Sequence, residues 1–366
     1  MTVTSPGGAA LHLRGVALPE AEQRDLWVVD GRLRTEAVPN AETVVRGGWL
    51  LPGLVDAHCH IGIGRGQTPL EDVADARALA LVERDAGVLA IRDAGSPLDY
   101  AELDDDEELP RLVRAGRHLA PPKRYLRGYA VDCEAAELPG EAAVQARRGT
   151  GWVKLVGDWI DRSVGDLTPT YDDATFAAAV NAAHTQGARV AVHTFSTEAL
   201  PGLIAAGVDS VEHGTGLTPE LVDALAATGA ALVPTMINIA TFPAIAGAAQ
   251  ERFPSYAARM HRLHAEFPAV VRSAHEAGVP IYVGTDAGGG IEHGLAATEM
   301  RLLHAAGLPP GAVLAAGSWG ARAWLGLPGL TDGAPADVVA YDRDPRTDLT
   351  VLAQPARIIL RGRVVR

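Results

Sequence analysis

Cysteine is scarce in this chain, because Cys59 and Cys133 are the only two among 366 residues. Two cysteines give no disulfide framework, and we interpret Cys59 as a small buried residue that faces away from the histidines beside it. Long apolar runs are also absent: none approaches the ~18 residues of a membrane-spanning helix. The N-terminus lacks the basic and apolar segments of a signal peptide. We therefore expect a soluble, cytoplasmic protein.

Positive charge is in deficit as well. The chain has 32 Lys and Arg against 45 Asp and Glu, a net charge of −13. Such a balance repels nucleic acid and anionic membrane surfaces, so we expect neither as a partner. A small-molecule substrate is the partner that we expect, and the sequence leaves open whether the chain forms a homo-oligomer.

The two ends of the chain resemble each other and differ from its middle. Short strand patterns with turn signals fill residues 11–50, and similar patterns return at 336–341, 358–360 and 364–365. We predict that residues 1–50 and 329–366 form one small accessory β-sandwich. Residues 51–328 would then form the main domain, and a chain with 48% hydrophobic residues can bury a large core.

The middle of the chain alternates short apolar strands with Ala-rich helical stretches, the pattern of repeated βα units. Glycines at 87, 187, 207 and 278 precede several strands, as expected of helix C-termini. The sequence therefore predicts an α/β fold, a closed (β/α)8 TIM barrel with the accessory sandwich beside it. The eight predicted strands are 54–60, 88–93, 125–131, 152–156, 189–193, 210–213, 231–235 and 281–286.

Polar residues gather where these strands end. His58 and His60 lie two apart on the first strand, so both imidazoles face the same way. In a barrel, the C-terminal strand ends share one rim, where loops build the site. Clustered histidine and carboxylate groups are what divalent Zn, Co or Mn requires, so we predict a metal site there. The other contributors are Lys154, His193, His213 and Asp286.

These motifs, in this order, resemble the metal-dependent amidohydrolase superfamily over essentially the whole chain, most closely its prolidase-like and imidazolonepropionase-like branch. That resemblance implies the barrel and the accessory sandwich described above. Each motif is weak alone, but the set is specific. The motifs are Pro52-Gly53-Leu54-Val55-Asp56-Ala57-His58-Cys59-His60, Val192-His193, Val211-Glu212-His213-Gly214, Pro234-Thr235 and Gly284-Thr285-Asp286-Ala287, with Gly333-Ala334-Pro335-Ala336-Asp337 in the tail.

The resemblance also implies a role for each matching residue. His58, His60 and Asp286 would hold one ion, His193 and His213 would hold a second, and zinc is the metal expected first. Lys154, carboxylated by carbon dioxide, would bridge the two ions as a carbamate; a lysine in an ordinary salt bridge, with a single metal, is the alternative. Two such ions generate hydroxide near neutral pH. Asp286 would then act as general base and pass a proton to the leaving nitrogen.

Four residues are candidate substrate contacts. Arg65 lies in the Gly-rich segment after His60 and could clamp a carboxylate, while Trp159 suits an apolar substrate portion. Tyr129 lies in the predicted third strand, and His293 follows Asp286 through a Gly-rich loop. We interpret six other histidines as surface residues, chiefly of helices: His118, His184, His261, His264, His275 and His304.

The function we expect is hydrolysis of an amide C–N bond in a dipeptide-like, N-acyl amino acid or cyclic amide substrate. Alternatives are a mononuclear deaminase of a heterocycle, a lactone hydrolase, or a metal-binding barrel without turnover. Deaminases of this superfamily usually carry a glutamate very soon after the strand-five histidine. Here His193 is followed by four residues before Glu198, which argues against deamination.

Overall fold

The computed structural model describes residues 10–64, 66 and 68–366 of the chain. Within them the accessory strands are β1 (Leu11–Ala17), β2 (Glu22–Val29), β3 (Arg32–Arg34), β4 (Glu42–Val45) and β5 (Trp49–Pro52). The middle of the chain carries β6 (Leu54–Cys59), β7 (Ile63–Gly64), β8 (Thr68–Pro69), β9 (Val88–Asp93), β10 (Arg111–Arg114), β11 (His118–Ala120), β12 (Val131–Asp132), β13 (Trp152–Val156), β14 (Asp158–Asp161), β15 (Asp166–Pro169), β16 (Arg189–Thr194), β17 (Ser210–His213) and β18 (Ala231–Val233). The C-terminal strands are β19 (Val338–Tyr341), β20 (Arg357–Leu360) and β21 (Arg363–Val364).

Helices separate most of the central strands. They are α1 (Val73–Asp85), α2 (Leu138–Arg148), α3 (Asp173–Thr185), α4 (Leu200–Ala206), α5 (Pro219–Thr228), α6 (Met236–Ile239), α7 (Phe242–Ala249), α8 (Pro254–Glu276), α9 (Ala296–Ala305), α10 (Pro310–Gly317) and α11 (Trp319–Trp324), with short 3₁₀ turns at Ala101–Leu103 and Leu349–Ala353. The predicted glycine stops are confirmed, since Gly87, Gly187, Gly207 and Gly278 all have φ between +75° and +92°. No helix in the described part of the chain is long and apolar enough to cross a membrane.

The two ends of the chain meet in one eight-stranded sheet with the order β21-β20-β19-β5-β1-β2-β3, in which β4 pairs with β1. β19 runs antiparallel to β5 and thereby joins the C-terminal strands to the N-terminal ones. The sheet has its own apolar core, which includes Leu13, Leu26, Leu50, Val338 and Ile359. The two ends of the chain therefore associate in a single sheet with its own core.

Parallel strands occupy the middle of the chain. β6, β9 and β10 form one sheet, and β11, β13, β16, β17 and β18 form another with β12 at its edge. Residues 281–286, a predicted strand, make isolated bridges instead of a ladder: the amide of Tyr282 donates to Leu232 (3.1 Å), and the amide of Asp286 donates to His58 (2.7 Å). This segment therefore lies between β18 and β6 and links the two parallel sheets.

The predicted strand at 125–131 is wrong. The third position is shared by β10, which pairs with β9, and β11, which pairs with β13. Residues 125–130 form turns, and Gly128 has a φ of +84°. Their tyrosines and leucine resemble a strand in composition, but both tyrosines face a cavity instead of alternating across a sheet.

An ion pair without solvent contact lies between the parallel strands. Nη2 of Arg92 on β9 lies 2.8 and 2.7 Å from the two carboxylate oxygens of Glu212 on β17, and both side chains are 0% exposed. The guanidinium also stacks near Trp152 and Trp324, at 4.5 and 5.0 Å from the ring centroids. These contacts compensate the cost of burying both charges.

Arg92→Met should destabilise the protein by about 3–5 kcal/mol, because it leaves the Glu212 carboxylate buried without its partner. Chemical denaturation followed by tryptophan fluorescence measures the loss. Arg343→Met is the matched control, since Arg343 pairs with Asp348 at the surface with 66% of its side chain exposed, and it should cost less than about 1 kcal/mol. Equal losses in the two variants would contradict a structural role for the buried pair.

Candidate metal centre and substrate cavity

Three predicted metal ligands converge at the end of β6. Nε2 of His58 lies 3.2 Å and Nε2 of His60 lies 3.0 Å from the same oxygen, Oδ1 of Asp286. The two histidines come from one strand, whereas Asp286 comes from the segment that runs beside it. Their candidate ligand atoms all lie within 4.8 Å of one another. The i, i+2 spacing thus places both rings on one face, as predicted.

The other ring nitrogen of each histidine is already bound. Nδ1 of His58 donates to Glu212 (2.6 Å), and Nδ1 of His60 donates to the carbonyl of Gly95 (2.7 Å). In a neutral imidazole, Nε2 then carries a lone pair. Two lone pairs therefore face a carboxylate oxygen at about 3 Å. This arrangement is stable only with a cation or protons between them, so the donor set fits a divalent metal.

His193 and His213 lie beside this group. Their ring centroids are 4.6 Å apart, and that of His213 is 5.1 Å from His58. Nδ1 of His213 bonds with Oγ1 of Thr235 (2.7 Å), which leaves Nε2 for a ligand, while Nε2 of His193 is buried without a partner. The structure thus brings together both histidine pairs that the sequence predicted for the metals.

Lys154 on β13 completes the group. It is 1% exposed, and its Nζ atom has no hydrogen-bond partner. Burial lowers the pKa of this amine to about 8, although Glu212 and Asp286 act in the opposite direction. An orphaned, buried amine of lowered pKa fits reaction with carbon dioxide, because only the neutral amine is nucleophilic.

Burial also sets the charge of the neighbouring groups. It lowers the pKa of His193 and of His213 well below the usual range, so both rings are neutral and can donate a lone pair to a metal. Burial alone would raise the pKa of Asp286, but His58, His60 and His213 hold it well below its ordinary value. His193 and His213 are therefore neutral and the Asp286 carboxylate is ionised, the protonation states that metal binding requires.

The backbone turns sharply where the strands reach the site. His213, Thr235 and Asp286 have φ of +67°, +51° and +57°, in the left-handed region that residues other than glycine rarely adopt. Each lies at the C-terminal end of a central strand or directly after it. The turn aims each side chain inward, and such local strain is typical of functional sites.

A cavity of about 440 Å³ opens above these residues, within the usual size of a small-molecule site. Tyr129 and Trp159, both predicted substrate contacts, line it. Phe242 of α7 and Tyr256 of α8 close other parts of the wall. The predicted metal ligands His58, His60, His193, His213 and Asp286 form its floor.

His118 corrects a sequence interpretation. It was expected at the surface, but it is 1% exposed on β11, and its ring lies 5.2 Å from His60 and 5.1 Å from Tyr125. Both of its ring nitrogens lack partners, and burial lowers its pKa well below the usual range. Locating the third strand at 111–120 would have identified it as a strand-end residue; its neighbours in sequence gave no other signal.

Glu299 on α9 anchors one wall of the cavity. Its carboxylate accepts the amides of Met236 (2.7 Å) and Ile237 (2.9 Å), the first residues of α6. Burial raises the pKa of Glu299 to about 8 despite these two hydrogen bonds. The connection fixes the start of the segment that carries Asn238, Thr241 and Phe242 into the cavity wall.

Two predicted substrate contacts are not placed in the cavity. Nδ1 of His293 lies 3.0 Å from Oε1 of Glu83, which also accepts the amide of Gly294 (2.9 Å). Helix α1 thus holds His293 behind β6, near Cys59, and His293 does not line the cavity among the described residues. Arg65 lies outside the described residues.

Comparison with known proteins agrees with this geometry. Uncharacterised proteins of Mycobacterium tuberculosis and Mycobacterium bovis are each 55% identical to the chain over 355 residues, covering 96% of it and 95% of the relative. A solved Xaa-Pro dipeptidase with methionine in its active site superposes with a TM-score of 0.81 at 23% identity, over 98% of this chain and 99% of that one. A. niger ochratoxinase gives 0.80 at 19% identity, over 99% and 96%.

The structural likenesses show an α/β fold of the TIM-barrel type. Residues 165–365, more than half of the chain, match the amidohydrolase family. Taken with the metal-ligand group at the ends of the parallel strands, this match means that the chain belongs to the amidohydrolase family of metal-dependent hydrolases.

Proposed function

We propose that this enzyme hydrolyses an amide C–N bond of a small substrate at a binuclear divalent-metal centre. The observation that carries the proposal is the convergence of the Nε2 atoms of His58 and His60 on one oxygen of Asp286, beside His193, His213 and Lys154. This chemistry includes dipeptide-like, N-acyl amino acid and cyclic amide substrates. Two divalent ions there, zinc in the first instance, would polarise the scissile carbonyl and lower the pKa of a water molecule.

The residues divide the metal binding between them. His58, His60 and Asp286 would hold one ion, and His193 and His213 the other. Lys154 would bridge both as a carbamate, which removes its positive charge and supplies two oxygen donors. The cost of burying an unpartnered ammonium among cations supports this assignment.

Asp286 is the proposed general base. Its carboxylate is ionised, and its contact with two imidazoles fixes the position of Oδ1 at the cavity floor. It would take the proton from the attacking water and deliver it to the leaving nitrogen. Neutral His118 and Tyr129 in the adjacent wall would orient the substrate through their unpartnered polar atoms.

The same proposal extends to the organisation of the chain. We infer that the central strands and residues 281–286 close into one barrel over residues 51–328. Residues 1–50 and 329–366 would form the accessory sandwich. The bridges of 281–286 to both β18 and β6 support closure, and the separate apolar core of the terminal sheet supports the division.

Deamination finds no support in the cavity. Glu198, the first glutamate after His193, accepts two hydrogen bonds from Nη1 of Arg259 at 2.8 Å each. It does not line the cavity among the described residues. A glutamate held by an arginine outside the cavity cannot serve as the proton shuttle beside His193.

Metal analysis of the purified protein should find about two divalent ions per chain. His193→Asn should retain about one, because it removes a ligand of only one ion. His261→Asn, on the exposed surface of α8, is the control and should keep both. Full activity in protein stripped of metal by chelation and dialysis would disprove the mechanism.

Lys154 should carry one carbon dioxide. The chain has only two lysines, Lys123 and Lys154, so protein equilibrated with ¹³C-bicarbonate should give one carbamate carbon signal by NMR. Lys154→Ala should lose this signal and bind less metal, and short carboxylates should restore part of the metal binding. Lys123→Ala, at the exposed position, should keep the signal. A wild-type protein without the signal at full metal load would favour a one-metal site.

Asp286→Asn should lower kcat by a factor on the order of 10²–10⁴ and change KM far less, because it removes general-base work. Steady-state kinetics at measured metal content provides the test. Asp105→Asn, at an exposed loop position, should leave both constants unchanged. Near-wild-type turnover in metal-loaded Asp286→Asn would remove this carboxylate from proton transfer.

A further inference from the structure

The walls of the cavity are apolar and aromatic, in contrast to its floor. Tyr125, Trp159, Phe195, Phe242 and Tyr256 surround it, together with aliphatic side chains such as Ile291. The Tyr125 and Trp159 rings contact each other with centroids 4.7 Å apart, and Phe195 and Phe242 do so at 4.9 Å. Aromatic side chains packed edge to face provide a rigid surface for another ring.

Among the described residues that line the cavity, none is Lys or Arg, and Asp286 is the one carboxylate. A free carboxylate that lies against this wall, away from the proposed metal site at the floor, would therefore contact rings, hydroxyls and the His118 imidazole. Burying an ionised carboxylate without a cation is costly.

Two arginines next in sequence to lining residues, Arg124 and Arg259, are committed elsewhere, and Arg127, beside Leu126, is exposed and is not among the described residues that line the cavity. Arg124, beside Tyr125, donates to Asp161 (3.2 Å) and to the carbonyl of Thr168 (3.1 Å). Arg259, beside Met260, bonds with Asp166 (2.9 Å) and Glu198 (2.8 Å). Both arginines thus fix the β14–β15 hairpin, and Arg259 also fixes the loop after β16. Neither is available to a ligand.

Several polar atoms of the wall belong to uncharged side chains. Tyr129 has a buried, unpartnered hydroxyl, and burial raises its pKa to about 12, so it keeps its proton. Asn238 and Thr241 also line the cavity. Groups of this kind can donate to or accept from an amide or ether, but they do not neutralise a charge.

We propose that the enzyme selects uncharged amides that carry an aromatic or bulky alkyl group next to the scissile bond, and discriminates against amides with a free carboxylate. The inference rests on the proposed amide hydrolysis and chooses within it. It favours neutral secondary and cyclic amides over free dipeptides and N-acyl amino acids. Trp159 and Tyr125 are the residues that would contact the ring.

Three probes with the same acetyl group isolate the two features. N-acetylphenethylamine is the neutral aromatic amide, N-acetylphenylalanine adds only the carboxylate, and N-ethylacetamide removes only the ring. With metal-loaded enzyme, kcat/KM for N-acetylphenethylamine should exceed that for each of the others by at least about tenfold, a difference of about 1.4 kcal/mol. Equal rates, or a preference for N-acetylphenylalanine, would overturn the inference.

Variants identify the groups responsible. Trp159→Ala should reduce the ratio of kcat/KM between N-acetylphenethylamine and N-ethylacetamide by about tenfold, since it removes one ring from the wall. Trp49→Phe, on the accessory sheet, is the control and should leave the ratio unchanged. Arg65→Ala tests the opposite case: a preference for N-acetylphenylalanine that disappears in this variant would assign Arg65 as a carboxylate clamp and overturn the inference.

Binding separates this inference from the reaction itself. If metal-loaded enzyme hydrolyses none of the three probes, the proposed function fails for simple amides. Isothermal titration with the same compounds still decides the selectivity of the cavity. Tighter binding of N-acetylphenethylamine than of N-acetylphenylalanine would support the neutral aromatic preference, whereas equal or reversed affinities would overturn it.

Discussion

The hydrogen bond between Nδ1 of His58 and Glu212 connects the core of the protein to its candidate metal centre. Glu212 would be costly to bury as an anion, but Arg92 donates to both of its oxygens, and Ser210 donates to one at 2.5 Å. Arg92 in turn donates to the carbonyl of Ala57 (2.6 Å), on the strand that carries His58. Burial alone would raise the pKa of Glu212, but Arg92 and the other groups around the carboxylate hold this pKa well below its usual range. The ionised carboxylate thus fixes the tautomer of His58.

The strained turns at His213, Thr235 and Asp286 depend on the same rigid frame. A left-handed backbone at such residues persists only when the surroundings determine it. Here the amide of Asp286 donates to the carbonyl of His58, and Thr285 bonds with buried Asp56. The hydrogen bonds between β6 and the neighbouring segment therefore hold the turn that brings Asp286 to the two histidines.

The sequence predicted the strands that combine a short apolar run with a polar end, and this includes every residue placed at the cavity floor. Local spacing was sufficient there, because the i, i+2 rule and the common rim of parallel strands act without knowledge of partners. Prediction from local sequence failed for the third strand, which is divided between β10 and β11 and interrupted by glycine at 116. His118 was missed for the same reason. Arg92 and Glu212 were not recognised as a pair because their contact spans 120 positions in the chain.

The floor and the wall of the cavity come from different parts of the structure. The residues proposed for the reaction are therefore separate from those proposed to select the substrate. Strand ends supply the floor, and their positions follow from the pairing of the parallel strands. The wall comes from the turn at 125–130, the β14–β15 hairpin and helices α6 to α8. These segments are held by a few specific contacts, such as Glu299 with α6 and Arg259 with the hairpin. Loops can change without disturbing strand pairing, so the wall can be altered for another substrate while the candidate metal ligands stay in place.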